Sequence, residues 1–207
     1  DETLIRTALE AGISSVMADG SMHGFEENLS FTRKIIQLAD AGVEAELGRI
    51  AGTEDGLTVD LLKSKMTRVS EAVSFTGQAE PAALAVCIGN IHGKYPFPPD
   101  LDFDRLGQIS EQVPIPLVLH GTSGLPDRMI LKAVGLGVCK FNVNTEVRTA
   151  YIDCLSGMFS GGAQSSQTQA APAGKGPELV DVMARSIDAM KTVIKEKIQL
   201  FGSAGMA

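Results

Sequence analysis

The chain has 207 residues, 44% hydrophobic and 21% charged, which suits one globular domain with a sizeable core and excludes a wholly disordered chain. A formal net charge of -7 argues against a nucleic-acid or anionic-membrane surface, because either partner needs a basic face, while small anionic substrates stay compatible where local donors outweigh the mean charge. Three scattered cysteines, Cys87, Cys139 and Cys154, form neither a disulfide framework nor a CxxC metal site, and no apolar stretch approaches the roughly 20 residues of a membrane-spanning helix.

In chain order, Leu4, Ile5, Ala8 and Leu9 mark one face of an amphipathic helix over 1–11. The opening DETLIRTALEAG is no signal peptide, so a cytoplasmic, or at least intracellular, protein is expected, with organelle targeting left open. Strand SSVMADGS follows, then a helix from Phe25 to Ala41, strand VEAELG and a Gly-rich loop AGTEDG. A helix over 58–76 leads to strand LAVCIGN, a helix near 103–112, strand PLVLHG, a helix near 126–135 and strand VCKFNVN. A further helix precedes GMFSGGAQSSQTQAAPAGKGPE, a polar low-complexity loop at about 160–177, and a last amphipathic helix runs from about Glu178 to Phe201.

Five strands, each followed by a helix, predict parallel βαβ units, and none carries the GxGxxG of a dinucleotide fold. Polar groups recur at the strand ends: Asp19 and Ser21, Glu44 and Glu46, Asn90 and His92, His120 and Ser123, Asn142 and Asn144. Strand ends converging on one rim are the mark of a TIM (β/α)8 barrel, so five of eight strands, strands 4 to 8 of an incomplete barrel, are expected over 1–207.

His92 and His120 each close an apolar strand and precede a glycine, in CIGNIHG and LVLHG. An imidazole placed so is either a metal ligand or a hydrogen-bonded structural histidine. Glu44 and Glu46, two apart on a strand, share one face, and are either buried beside a compensating cation or surface-facing with Arg49. HGTSG supplies backbone N–H groups and a hydroxyl before a helix, either a phosphate cradle or a turn with Ser123 as N-cap. Asn142, Asn144 and Thr145 are ligand groups or caps, and AGTEDG is a hinged lid with a proton-transfer group or a solvated turn.

Taken together, SVMADGS, FEEN, EAELGRIAGTEDG, LAVCIGNIHGKY, LDFDRL, VPIPLVLHGTSGLP, VCKFNVNTEVR and KEKIQLFGSAGMA resemble the class II, zinc-dependent ketose-bisphosphate aldolases, essentially end to end. The resemblance is nearest to the modules of fused plant-type proteins and to bacterial fructose- and tagatose-bisphosphate enzymes. It implies that His92 and His120 are two of three zinc-ligand histidines and that Glu46 is the carboxylate of the metal site. It implies further that Gly93, Gly121, Ser123, Asn142, Asn144 and Thr145, with Thr122 among them, hold substrate phosphate and hydroxyls and, in many members, a monovalent cation such as sodium or potassium. Glu54 corresponds to the glutamate of a mobile loop that moves a proton at the carbon next to the carbonyl.

The implied reaction is reversible aldol cleavage of fructose 1,6-bisphosphate or a related ketose bisphosphate to dihydroxyacetone phosphate and an aldehyde such as glyceraldehyde 3-phosphate, a step of glycolysis and related carbohydrate metabolism. A phosphorylated sugar is thus the expected partner, and a homodimer or homotetramer the expected assembly. Two departures stand out: Thr122 where a second glycine is usual, and Met206 in place of a common lysine. The family's Leu-Asp-His strand end, source of the third zinc histidine, is expected upstream of residue 1, which makes the chain by itself inactive or nearly so. A phosphate-binding module without catalysis is the competing expectation. A magnesium-dependent barrel lyase fits less well, since magnesium prefers oxygen ligands to imidazoles.

Overall fold

The structure is a computed structural model and describes residues 2–54, 57–59, 65–93, 95–159 and 178–206. It divides into two compact units, Asp1–Val143 and Asn144–Ala207.

The first unit runs α1 (Glu2–Glu10), β1 (Ser15–Ala18), α2 (Phe25–Leu38), β2 (Gly42–Leu47), β3 (Ala51–Glu54), β4 (Leu57–Val59), α3 (Val69–Ala79), β5 (Ala83–Val86), β6 (Ile91–His92), α4 (Phe103–Gln112), β7 (Leu117–Leu119), α5 (Asp127–Gly135) and β8 (Val138–Phe141). A five-stranded sheet has the order β1-β2-β5-β7-β8, parallel at every pairing. Successive βα units therefore lie side by side with no reversal of order, as in a barrel wall and unlike a doubly wound sheet. The five strands are those the sequence predicts; the barrel is not closed.

The strands pack where their parity demands. Ala18 and Val43 join Ile5 of α1 and Ile35 of α2 in one buried cluster, with Leu9, Val16 and Phe31 against it. Val43, Ala45 and Leu47 thus belong to the helix-facing side of β2, and Glu44 and Glu46 to the opposite, inner side. Phe75 of α3 is fully buried and meets Phe25 edge-on, ring centroids 5.9 Å apart. Helix α4 starts as its sequence dictates: the Asp102 carboxylate accepts from the Arg105 N–H at 2.9 Å, closing the first turn.

The segment after β2 departs from expectation. Within AGTEDG, Ala51–Glu54 form β3, which pairs antiparallel with β4 and parallel with β6 in a second, three-stranded sheet, while residues 55–56 lie outside the described residues. The helix predicted over 58–76 begins only at Val69: Leu57-Thr58-Val59 is strand, as its branched residues favour, and residues 60–64 lie outside the described part. Thr67 closes the β2–β5 junction, its hydroxyl donating to the Leu47 carbonyl and accepting from the Cys87 N–H at 2.8 Å.

In the second unit α6 (Thr145–Phe159) pairs with α7 (Leu179–Leu200), and Lys197 meets Glu146 at 2.5 Å. The low-complexity loop assigned to about 160–177 lies outside the described residues. Among the described residues, no helix is long and apolar enough to cross a membrane.

Candidate active site at the strand ends

His120 follows the last residue of β7 and is buried, 4% exposed. Its Nε2 lies 2.8 Å from Glu44 Oε1, while the other Glu44 oxygen accepts from Lys140 Nζ at 2.5 Å. The carboxylate that meets His120 is therefore Glu44 of β2. Glu46, buried on the same strand, accepts at its backbone carbonyl from Asn28 Nδ2 at 2.8 Å. Burial alone would raise the Glu44 carboxyl, but the hydrogen bonds from His120 and Lys140 together hold it below the ordinary carboxylate range.

Two structural features make this cluster possible. In a flat sheet, β2 and β8 are three strand spacings apart, roughly 14 Å. Contact between Glu44 and Lys140 needs the sheet to curve about its inner face, as a barrel wall does. The second feature is a register shift in β8: Leu117 pairs with Val138 but Val118 with Lys140, which leaves Cys139 as an extra, exposed residue. Regular alternation from Val138, which shares the face of Leu117, would turn Lys140 outward; the bulge turns it inward.

The backbone around His120 is held from the neighbouring strand end. Asn90 accepts from the Ile88 N–H at 2.8 Å and donates to the His120 carbonyl at 3.1 Å. The Tyr95 hydroxyl donates to the Gly121 carbonyl at 2.9 Å and accepts from the Ile91 N–H at 3.3 Å; burial pushes its pKa up to about 12. Gly121 has φ +62°, and a Cβ there would overlap the Ile91 carbonyl, so this crossing needs glycine. The result sets the His92 and His120 rings perpendicular, 88° between planes, with centroids 5.9 Å apart.

The remaining candidates fall as follows. Asn142 Nδ2 lies 3.3 Å from both ring nitrogens of His120. Thr122, buried, donates its hydroxyl to the Asn142 carbonyl at 3.0 Å, so the residue standing where a glycine is usual ties the β7 and β8 ends together. Ser123 is buried but caps no helix: α5 begins at Asp127 behind Pro126, too far on for HGTSG to form its first turn. Gly93 directly follows β6. Asn144 and Thr145 belong to the second unit, where the Asn144 carbonyl accepts from the Arg148 N–H at 3.0 Å in the first turn of α6. Glu54 ends β3, and its side chain lies outside the described residues.

Apart from this cluster, a cavity of about 330 Å³ opens at the ends of β1 and β2. Its cations are already engaged: Arg49 donates to the Ser21 and Met22 carbonyls, and Lys65 lies 3.7 Å from Glu71. Lys140 and Tyr95 were not identifiable from residue patterns, since only the Cys139 bulge and the Gly121 crossing bring them to the histidines.

Residues 1–206 match the family model for class II fructose-bisphosphate aldolases. The chain belongs to that family. Its relatives include the D-tagatose-1,6-bisphosphate aldolase subunit GatY of Klebsiella oxytoca, 40% identical over 204 residues, a match covering 97% of this chain and 68% of the relative. Among solved structures, the YdjI aldolase of Escherichia coli K12 superposes with a TM-score of 0.80 at 30% identity over 99% of this chain and 67% of that one. A Coccidioides immitis protein assigned as a fructose-1,6-bisphosphate aldolase superposes with a TM-score of 0.83 at 29% identity over 100% of this chain and 69% of that one. The family is one of carbon–carbon lyases, and the five-stranded sheet is part of its TIM-barrel wall.

Proposed function

We propose that the chain serves the zinc-dependent, reversible aldol cleavage of a ketose 1,6-bisphosphate, with tagatose and fructose bisphosphates as the candidate substrates. The observation that carries this is the perpendicular His92–His120 pair, backed by Glu44 on His120. Two imidazoles sharing a tetrahedral zinc have centroids roughly 5 Å apart, near the 5.9 Å found, so the pair suits two positions on such an ion. Among the described residues no group of three or more His, Cys, Asp or Glu gathers to hold a metal. A catalytic zinc takes three protein ligands, so this pair is an incomplete set and binds the ion more weakly than three would.

When bound, zinc supplies Lewis-acid stabilisation of the charge that develops as the carbon–carbon bond breaks. The chain's own residues do the rest. His92 and His120 hold the ion, and Glu44 fixes the His120 ring. For a substrate phosphate, the resemblance supports the backbone N–H groups of Gly93, Gly121, Thr122 and Ser123 and the Ser123 hydroxyl as donors, the Thr122 hydroxyl being engaged by the Asn142 carbonyl. For Asn142, Asn144 and Thr145, as for the monovalent cation, that role is supported by the resemblance alone, as are the metal role of Glu46 and the proton-moving role of Glu54. The relative's naming as a subunit supports reading the complete enzyme as an oligomer.

The test is zinc affinity, by competition against a chromogenic chelator, together with triose phosphate release from both bisphosphates. His92→Ala and His120→Ala should each weaken zinc binding at least tenfold, and a chelator should abolish whatever cleavage the chain shows. Zinc affinity indifferent to both substitutions would overturn the assignment. Protection by inorganic phosphate without zinc binding would favour a binding module instead.

A further inference from the structure

We propose that Lys140 is a positioning residue of this site: by anchoring Glu44 it holds the His120 ring in the tautomer whose Nε2 carries the proton, leaving Nδ1 as the only lone pair for a metal. The inference rests on the zinc reading of His92 and His120 for its purpose. It rests on geometry for its content.

An ionised carboxylate only accepts hydrogen bonds, so the His120 nitrogen 2.8 Å from Glu44 must be the one that donates. That assigns the proton to Nε2 and the lone pair to Nδ1; the Asn142 amide, 3.3 Å from both ring nitrogens, does not distinguish them, so the Glu44 contact alone carries the assignment. Glu44 can hold the ring only if its own rotation is stopped. Oε1 is engaged by His120 and Oε2 by Lys140, so both oxygens of the carboxylate are held. Without Lys140 the second oxygen loses this cation, and the buried side chain is freer to turn away from the imidazole. A carboxylate behind a metal-ligating histidine is the usual means of setting the ring's orientation and basicity.

The placement of Lys140 is specific. Plain strand alternation would point it outward, and the extra residue Cys139 turns it to the inner face. Its side chain is 53% exposed but that of Glu44 is 6% exposed, so Lys140 reaches in from the solvent to a buried carboxylate whose second oxygen it satisfies.

Long-range proton–nitrogen correlation spectra of the His120 ring, recorded on the metal-free chain, read the tautomer directly. The expected result is a single Nε2–H form in the parent and in Lys140→Arg, and a mixture in Lys140→Met. In parallel, zinc affinity should fall ten- to a hundredfold in Lys140→Met and return in Lys140→Arg. Lys140→Met should melt below the parent, since buried Glu44 loses a donor, and Lys140→Arg should restore the loss, so the tautomer is the readout that separates positioning from stability.

An Nδ1–H form in the parent would overturn the inference without recourse to any variant. So would a Lys140→Met protein with one tautomer and parental zinc affinity, or Arg and Met variants impaired alike. If the parent binds no zinc while the tautomer follows Lys140 as described, the zinc reading fails and the link from Lys140 to His120 stands.

Discussion

Replacing Tyr95 with Phe removes one oxygen from the crossing that sets the two histidines, and its effect can be worked from two bonds. The hydroxyl donates to the Gly121 carbonyl at 2.9 Å and accepts from the buried Ile91 N–H at 3.3 Å. An orphaned buried group costs about 1–3 kcal/mol, and with one bond long and Gly121 only half-buried, the sum is about 2 kcal/mol. For a chain of this size that lowers Tm by about 4–8 °C.

The pH dependence gives a second reading of the same group. The phenol is raised from 10 to about 12, chiefly by burial, so its neutral form is favoured in the folded state. The corresponding stability is complete below pH 10 and is lost as pH rises towards 12, on the order of 2 kcal/mol in all. Tyr95→Phe has no such group, so the stability gap between parent and variant should narrow over that interval. Urea unfolding of both proteins at pH 7 and at several values between 10 and 12 measures it. Equal midpoints at pH 7, or parallel curves through the alkaline range, would refute the reasoning.

Two further substitutions probe the supporting backbone. Gly121→Ala places a Cβ against the Ile91 carbonyl at φ +62° and should destabilise by about 3 kcal/mol in thermal unfolding; a near-neutral effect would mean that the crossing is looser than described. Asn28→Asp turns the donor aimed at the Glu46 carbonyl into a buried acceptor, still beside the Thr32 hydroxyl. A loss of about 2–4 kcal/mol is expected, and parental stability would show that the Asn28–Glu46 link does not hold β2.

The amino-acid sequence by itself determined the alternating elements, because period and burial are local properties of a chain. LVLHG reads as a buried strand with a histidine at its end and residues 103–112 read as a helix, and both form; the Asp102 cap on that helix is seen only in the structure. The imidazoles at two strand ends and the family were legible for the same reason. Tertiary structure alone decided which groups meet. Glu44 and Glu46 are equivalent in spacing, and sheet curvature brings one of them to His120. AGTEDG carries turn residues, yet its first part pairs with β6 because a strand edge was there to pair with. Lys140 is a charged residue in an unremarkable strand until one extra residue, Cys139, reverses its direction. Such contacts join residues up to 96 positions apart, and no local pattern encodes them.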